Sequence, residues 1–142
     1  MHIHIALVGN ETVPIALVIK HLQPDQVILV YSSGSRRRAE HIKSLFPRIT
    51  FQNDIILDDR SVQEAFIEAG KCILKCKALC STSQDKVTIN VTGGLGHWRL
   101  AFYEAAQSIS NSICYYIDQM NVLTNLSEHS SKYLHGNTDN IE

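Results

Sequence analysis

The residues of this chain that could do chemistry sit in short polar breaks between apolar runs. Thr92-Gly93-Gly94-Leu95-Gly96-His97 follows the apolar stretch Val87–Thr92 and opens a helical pattern. Glycines there let backbone N–H groups approach an anion, and the helix start adds partial positive charge. The same glycines would also serve a plain sharp turn. The loop lacks a Gly-Lys-Ser/Thr ending, so it is not a P-loop. Gly9-Asn10-Glu11-Thr12 lacks the G-x-G-x-x-G pattern, which disfavours a dinucleotide oxidoreductase. Ser32-Ser33-Gly34-Ser35 leads into Arg36-Arg37-Arg38. Cations at a helix start oppose the macrodipole by about 0.3–1 kcal/mol, and a bound phosphate would offset that cost. A solvated charged turn is the plainer reading. Arg36 lies closest to the strand end. An imidazole can donate or accept a proton, so His97 is a candidate acid or base, although a helix start is also an ordinary place for an exposed histidine. Trp98 reads as core before base stacking. Asp58, Asp59 and Asp118 read as turn and cap residues. His2 and His4 share a strand face at its amino end, away from these loops, so no metal site and no cofactor are expected.

The elements that must hold these loops alternate. Strands are expected at His2–Val8, Gln26–Tyr31, Ile49–Leu57, Val87–Thr92 and Ser112–Ile117. Gln26–Tyr31 has no polar alternation, as suits a strand covered on both faces. Helices are expected at Val13–Leu22, with Pro14 in the first turn, at Arg36–Phe46, from Ser61 to about Cys80, and at His97–Ile109. Ser61-Val62-Gln63-Glu64 is a capping box. The helix it opens is expected to turn Val62, Phe66, Ala69, Ile73, Cys76 and Cys80 inward. Leu100 and Tyr103 lie off the inward stripe of the last helix, which suggests a second contact surface. Asp118–Asn121 is a turn into a strand at Val122–Leu126. This order predicts an α/β, Rossmann-like fold. Its mostly parallel sheet has about six strands, helices on both faces and a C-terminal antiparallel hairpin strand. Residues 1–126 form the domain, and 127–142 a polar, frayed tail. Ligands of such sheets bind outside the carboxyl ends of the strands.

Composition narrows the function. The 142 residues fit one domain, and 44% apolar against 19% charged is a globular balance. A net charge of −1 argues against a grip on long nucleic acid, which needs many spread cations. No apolar run approaches the roughly 20 residues of a membrane helix, and Met1-His2-Ile3-His4 does not begin a signal peptide. A cytoplasmic protein is expected. Cys72, Cys76 and Cys80 recur along one helix face, and with Cys114 they read as small core hydrophobes.

Four segments taken together resemble one known family. They are Gly9-Asn10-Glu11-Thr12-Val13-Pro14, the strand Val27–Tyr31 ending in Ser32, Ile89-Asn90-Val91-Thr92-Gly93-Gly94, and Tyr115-Tyr116-Ile117-Asp118. Their order and spacing are similar to those of the CARF (CRISPR-associated Rossmann fold) domain over about residues 3–126. The resemblance implies a homodimer that binds a cyclic oligoadenylate, the second messenger of type III CRISPR defence. Many relatives continue the Thr-Gly-Gly loop with a Thr-Lys pair. Leu95 and Gly96 stand there instead, so His97, Arg99 or Arg36 would have to supply the cation. Relatives usually carry an effector after the sensor, whereas about sixteen polar residues follow Leu126 here. The expectation is a sensor working alone, or a piece of a longer chain.

Members that resemble a lone sensor act as ring nucleases. In that reaction a ribose 2′-OH attacks the adjacent phosphate in line and leaves a 2′,3′-cyclic phosphate, without metal. The reading assigns ligand contact to Gly9, Asn10, Thr12, Ser32, Ser33, Arg36, Thr92, Gly93, Gly94, Leu95, Gly96 and His97. The catalytic set is His97, protonating the leaving 5′-oxygen, with Arg36 and Ser32. The ring favoured is cyclic tetra-adenylate. The alternative is a non-catalytic sensor or sponge, possibly working with a separate effector.

Overall fold

Side chains along β1 (His2–Leu7) alternate between two separate cores, so every position of that strand is buried. Ile3, Ile5 and Leu7 face one helix layer, and Ala6 faces the other. The structure is a computed structural model and describes residues 1–136 and 141. β2 (Gln26–Tyr31) pairs parallel with β1, and β5 (Lys86–Asn90) pairs parallel with the opposite side of β1. β6 (Ser112–Ile117) extends the parallel sheet beyond β5. The four parallel strands expected from the sequence thus lie in one sheet.

Helices cover both faces, as expected. α3 (Val62–Leu79) and α4 (Gly96–Ala106) pack on one face, over Ile28, Val30 and Ile89. α1 (Val13–Leu22) and α2 (Arg36–Leu45) cover the other, over Val27, Leu29 and Tyr31. A short 3-10 turn over Ser33–Ser35 precedes α2.

Four details depart from expectation. The third strand is two short pieces, β3 (Thr50–Phe51) and β4 (Ile55–Ile56), each paired with β2. Asp54 interrupts them because its carboxylate is drawn to the Tyr31 hydroxyl and to Lys43 Nζ, the latter at 2.7 Å. The capping box is half formed. Ser61 Oγ accepts from the Glu64 N–H at 3.1 Å, but the Glu64 carboxylate accepts from the Asp58 N–H instead of reaching back to Ser61. On α3 the inward residues are Ala65, Ala69, Cys72, Ile73 and Cys76, while Val62 and Phe66 stay exposed.

The fourth departure is the segment after Leu126. It is not a frayed tail among the described residues. β7 (Val122–Asn125) pairs antiparallel with β6, and β8 (Ser130–Tyr133) pairs antiparallel with β7. Asn125 Oδ1 accepts from the Ser127 and Glu128 N–H groups and closes the turn between them. Leu134 and Ile141 are buried against Ala16, Leu17 and Ile117. A polar edge strand has no hydrophobic alternation to announce it. Residues 137–140 and 142 of the expected tail lie outside the described residues. The sheet has eight strands in the order β3-β2-β1-β5-β6-β7-β8, with β4 on β2 beside β3.

Candidate functional site

The strand order reverses between β1 and β5. The chain runs outward through β2, β3 and β4, then returns to the far side of β1. A crevice opens at such a switch point, beyond the carboxyl ends of the strands. The two loops that border it here are Gly9–Thr12 and Thr92–Leu95. They touch backbone to backbone. A Cβ on Gly93 would fall 2.2 Å from the Leu7 carbonyl oxygen, and one on Gly9 would fall 2.7 Å from the Gly94 nitrogen. Gly94 has φ +77°, and a Cβ there would meet the Trp98 ring at 2.6 Å. Gly9 and Gly93 are therefore required by the packing of the loops on each other, and Gly94 by its own backbone conformation and the Trp98 ring. Gly96 has open space around it and begins α4.

Buried polar groups fix the same loops. Asn90 is fully buried at the end of β5. Its Oδ1 accepts from Thr92 Oγ1 at 2.5 Å and from the Thr92 N–H at 3.0 Å, and its Nδ2 reaches the Pro14 carbonyl at 3.4 Å. Thr92 Oγ1 in turn accepts from the Ile117 N–H at 2.9 Å. The Thr92 hydroxyl thus ties β5 to β6. Asp118 Oδ1 accepts from the Met120 and Val122 N–H groups, and Asp58 Oδ1 from the Arg60 N–H, so both act as turn residues.

Two depressions open on this framework. One, of about 840 Å³, lies over β6 and the start of α1, with Glu11, Thr12, Thr92, Arg99, Tyr116 and Asp118 on its walls. The other, of about 370 Å³, lies at the switch point between Gly9, Asn10, Ser32, Asp59, Gly94 and Trp98. Thr92, Glu11 and Pro14 belong to both, so the two adjoin. Volumes of about 300–1,000 Å³ are usual for small-molecule sites.

Of the residues singled out in the sequence, Gly9, Asn10, Ser32, Gly93, Gly94 and Leu95 come together around the smaller depression. Thr12 lines the larger one, and Thr92 lines both. Ser33, Arg36, Gly96 and His97 line neither. Arg36 starts α2 one turn beyond Ser32, and the 3-10 turn carries it past the strand end. Arg99 is the arginine that reaches a wall. It stands three residues after Gly96, one turn into α4, and so remains at the mouth of the helix. That spacing was the available signal. Asp59, read as a turn residue, also lines a wall. Trp98 belongs to both readings: it is 2% exposed and packed in the core, yet it borders the smaller depression. His97 Nε2, Trp98 Nε1 and Arg99 Nε are buried without a hydrogen-bond partner among the described residues. Such groups are rare in folded proteins. Three in succession mark the first turn of α4 as a place a ligand or second chain would complete.

Other clusters are structural. Thr88 Oγ1 bonds His2 Nε2 at 2.7 Å and His4 Nδ1 at 2.8 Å on the α1 face of the sheet. Burial pushes the His2 imidazole down to about 4 and that of His4 to about 3. Burial and the bond to Asp54 push the Tyr31 hydroxyl up to about 12. Cys72, Cys76 and Cys114 are buried free thiols. Hydrogen bonding with Cys76, together with burial, pushes the Cys72 thiol up, and burial pushes Cys114 up to about 11. Among the described residues no three His, Cys, Asp or Glu side chains gather as a metal site. Among the described residues no helix is long and apolar enough to cross a membrane.

Comparison with known proteins follows the same architecture. No curated protein matches the sequence. Among solved structures, Can2 of Sulfobacillus thermosulfidooxidans, in complex with cyclic tetra-adenylate, superposes with a TM-score of 0.78 at 16% identity, over 95% of this chain and 37% of that one. A type III CRISPR defence DNA nuclease activated by cyclic oligoadenylate gives 0.79 at 16% identity, over 98% and 22%. Csm6 of Enterococcus italicus, bound to cyclic hexa-2′-fluoro-hexa-dAMP, gives 0.66 at 16% identity, over 84% and 34%. The chain therefore spans 22% to 37% of the length of these proteins, and the likeness establishes a shared fold. The family model of the Card1 CARF domain matches residues 3–140, and the chain belongs to that family.

Proposed function

We propose that this chain binds a cyclic oligoadenylate of type III CRISPR defence, cyclic tetra-adenylate in preference, in the cytoplasm. The observation that carries the reading is the 840 Å³ depression with Arg99 on its wall, at the strand ends of a CARF-family domain. A guanidinium meets phosphate through paired N–H donors. The α4 N-terminus beside it adds backbone N–H groups and partial positive charge. Three orphaned polar groups in that turn support completion by a ligand, by a second copy of the chain, or by both. The working unit in this reading is a two-fold homodimer, with one ring shared between two copies of the Thr92–His97 loop.

Cleavage is the finer part of the proposal. The ring opens by attack of a ribose 2′-OH on its own phosphate. The protein holds the in-line geometry and stabilises the phosphorane charge through Arg99 and backbone N–H groups. His97 and Arg36 stand outside both walls, so either enters the reaction through the second copy. One observation favours binding without cleavage: the Thr92 hydroxyl is already engaged by Asn90 and Ile117. The test is incubation with cyclic tri-, tetra- and hexa-adenylate in EDTA. Linear products ending in 2′,3′-cyclic phosphate support the nuclease. Retained, intact tetra-adenylate supports the sensor. No binding of any ring overturns the reading.

A further inference from the structure

The outer edge of the sheet is unused by the site at the strand ends. β8 ends the strand order, and among the described residues no strand pairs with its far side. Its register against β7 fixes which backbone groups are free. Tyr133 stands opposite Val122 and Ser131 opposite Thr124, while the Leu134 N–H donates to the Asn121 carbonyl at 2.8 Å. Successive residues of an antiparallel strand aim their N–H and C=O groups to opposite sides. The backbone groups of Lys132 and Leu134 therefore point to β7, and those of Ser131 and Tyr133 point away from the sheet. Both of these residues are exposed. Such a row of free groups is a template for another strand.

The side chains beside this edge share one sign. Lys132 lies on the α1 face, because its partner Leu123 packs with Ala16 and Leu17. There Lys20 and His21, from the last turn of α1, join Lys132 and His135 around a depression of about 360 Å³, with Leu17 and Leu134 as its buried apolar wall. Among the described residues no Asp or Glu lines it, and neither lysine makes an ion pair. Burial, and then the neighbouring Lys132 ammonium, push the His21 imidazole down from its usual range. A lone lysine on an edge strand serves to discourage pairing with another strand. Here the charge comes from two elements and borders a depression. Pairing β8 with β8 of a second copy would set like charges together, so the cluster rejects its own copy and fits carboxylates.

We propose that β8 is a docking edge for an extended acidic segment of another protein, which adds to the sheet as a further strand. The segment's backbone pairs with Ser131 and Tyr133. Its carboxylates, at alternate positions and so on one face, meet Lys132, Lys20 and the two histidines. A polyanion without a peptide backbone would meet the cations but leave the edge amides open. The docking edge shares no lining residue with either depression at the strand ends, so it stands apart from ring binding.

The experiment titrates the full chain with the blocked, fluorescein-labelled peptide Thr-Glu-Val-Glu-Val-Thr, with its counterpart carrying Lys for Glu, and with a labelled single-stranded RNA hexamer. The expected result is that the acidic peptide binds at least about tenfold more tightly than the basic one, and that its affinity falls severalfold as salt rises from about 50 to 300 mM. At saturation, amide hydrogen exchange at Ser131 and Tyr133 should slow. Tyr133→Pro removes one outward N–H and leaves the β7 ladder intact, a change that an edge strand tolerates. It should lower affinity for the acidic peptide at least about fivefold, and so should the charge reversal Lys132→Glu, each with an unchanged thermal melt. If Tyr133→Pro does not fold, the exchange measurement and Lys132→Glu carry the test. Equal binding of the two peptides, binding of neither, or unchanged exchange at Ser131 and Tyr133 would overturn the proposal. Tighter binding of the RNA hexamer would overturn it in favour of a nucleic-acid surface. A dimer that Tyr133→Pro converts to monomer in light scattering would overturn it in favour of a second copy on this edge.

Discussion

Arg99 and Arg36 separate what a residue type offers from where the fold puts it. Both are arginines at the start of a helix, but of the two Arg99 lines the larger depression and Arg36 lines neither of the adjoining pair. Arg99→Ala is expected to weaken binding of cyclic tetra-adenylate by about 1.5–3 kcal/mol, the range for hydrogen bonds to charged groups. Arg36→Ala should cost less than half of that by calorimetry. The opposite ranking would return the phosphate contact to Arg36. Lys43 is no neutral control on the same helix, because its Nζ lies 2.7 Å from Asp54. The glycines make a second residue-scale contrast. Gly93→Ala drives a Cβ into the Leu7 carbonyl and should destabilise by about 3 kcal/mol or more, since backbone on both sides resists the shift. Gly96→Ala meets nothing and should stabilise by about 0.4–1 kcal/mol, chiefly by restricting the unfolded chain. Urea denaturation of both variants checks the pair.

At the scale of elements, the junction of β1 and β5 sets a pH limit on stability. The folded sheet keeps His2 and His4 neutral around the Thr88 hydroxyl, with imidazoles held near 4 and 3. In the unfolded chain both titrate at about 6.5. Above pH 7 neither state binds these protons, and stability does not depend on them. As pH falls below 6.5 the unfolded chain takes up protons that the folded chain refuses, so stability drops. With both histidines charged only on unfolding, the slope approaches about 2.7 kcal/mol per pH unit near pH 5. It levels only below pH 3. The measurement is the urea midpoint at pH 7.5, 6 and 5. His4→Gln should flatten the slope by half, and an unchanged slope would show that other groups carry it.

The whole molecule leaves an apolar surface beside the site. Phe66, Gly70 and Leu74 of α3 and Ala101 and Ala105 of α4 line a groove of about 340 Å³, with Leu100 and Tyr103 exposed on α4. The described end of the chain packs instead on the α1 face, so it does not cover these side chains. The dimer proposal places a second copy here, which sets two Thr92–His97 loops side by side. Light scattering at micromolar concentration should give a dimer, and titration should saturate at one ring per two chains. Leu100→Glu should shift the protein to monomer and lower ring affinity at least tenfold in parallel. A monomer that binds one ring per chain would end the shared-site mechanism.

The sequence alone determined the alternation of four helices with parallel strands. Continuous apolar runs such as Val27–Tyr31 suit a sheet covered on both faces. It also determined the loops that carry the site, because glycine, hydroxyl and proline breaks follow the strand ends. Only the tertiary structure decided three further things. It joined β8 to the sheet beyond the expected hairpin strand, since a polar edge strand is held by backbone bonds that leave no side-chain pattern. It assigned Gly9 and Gly93 to close contact between the two strand-end loops, a demand visible only when both are in place. It chose Arg99 and Asp59 over Arg36 and His97 for the walls, because the direction of a side chain at a helix start depends on the turn before it. Local chemistry is written along the chain; which groups share a cavity is a property of distances between segments far apart in it.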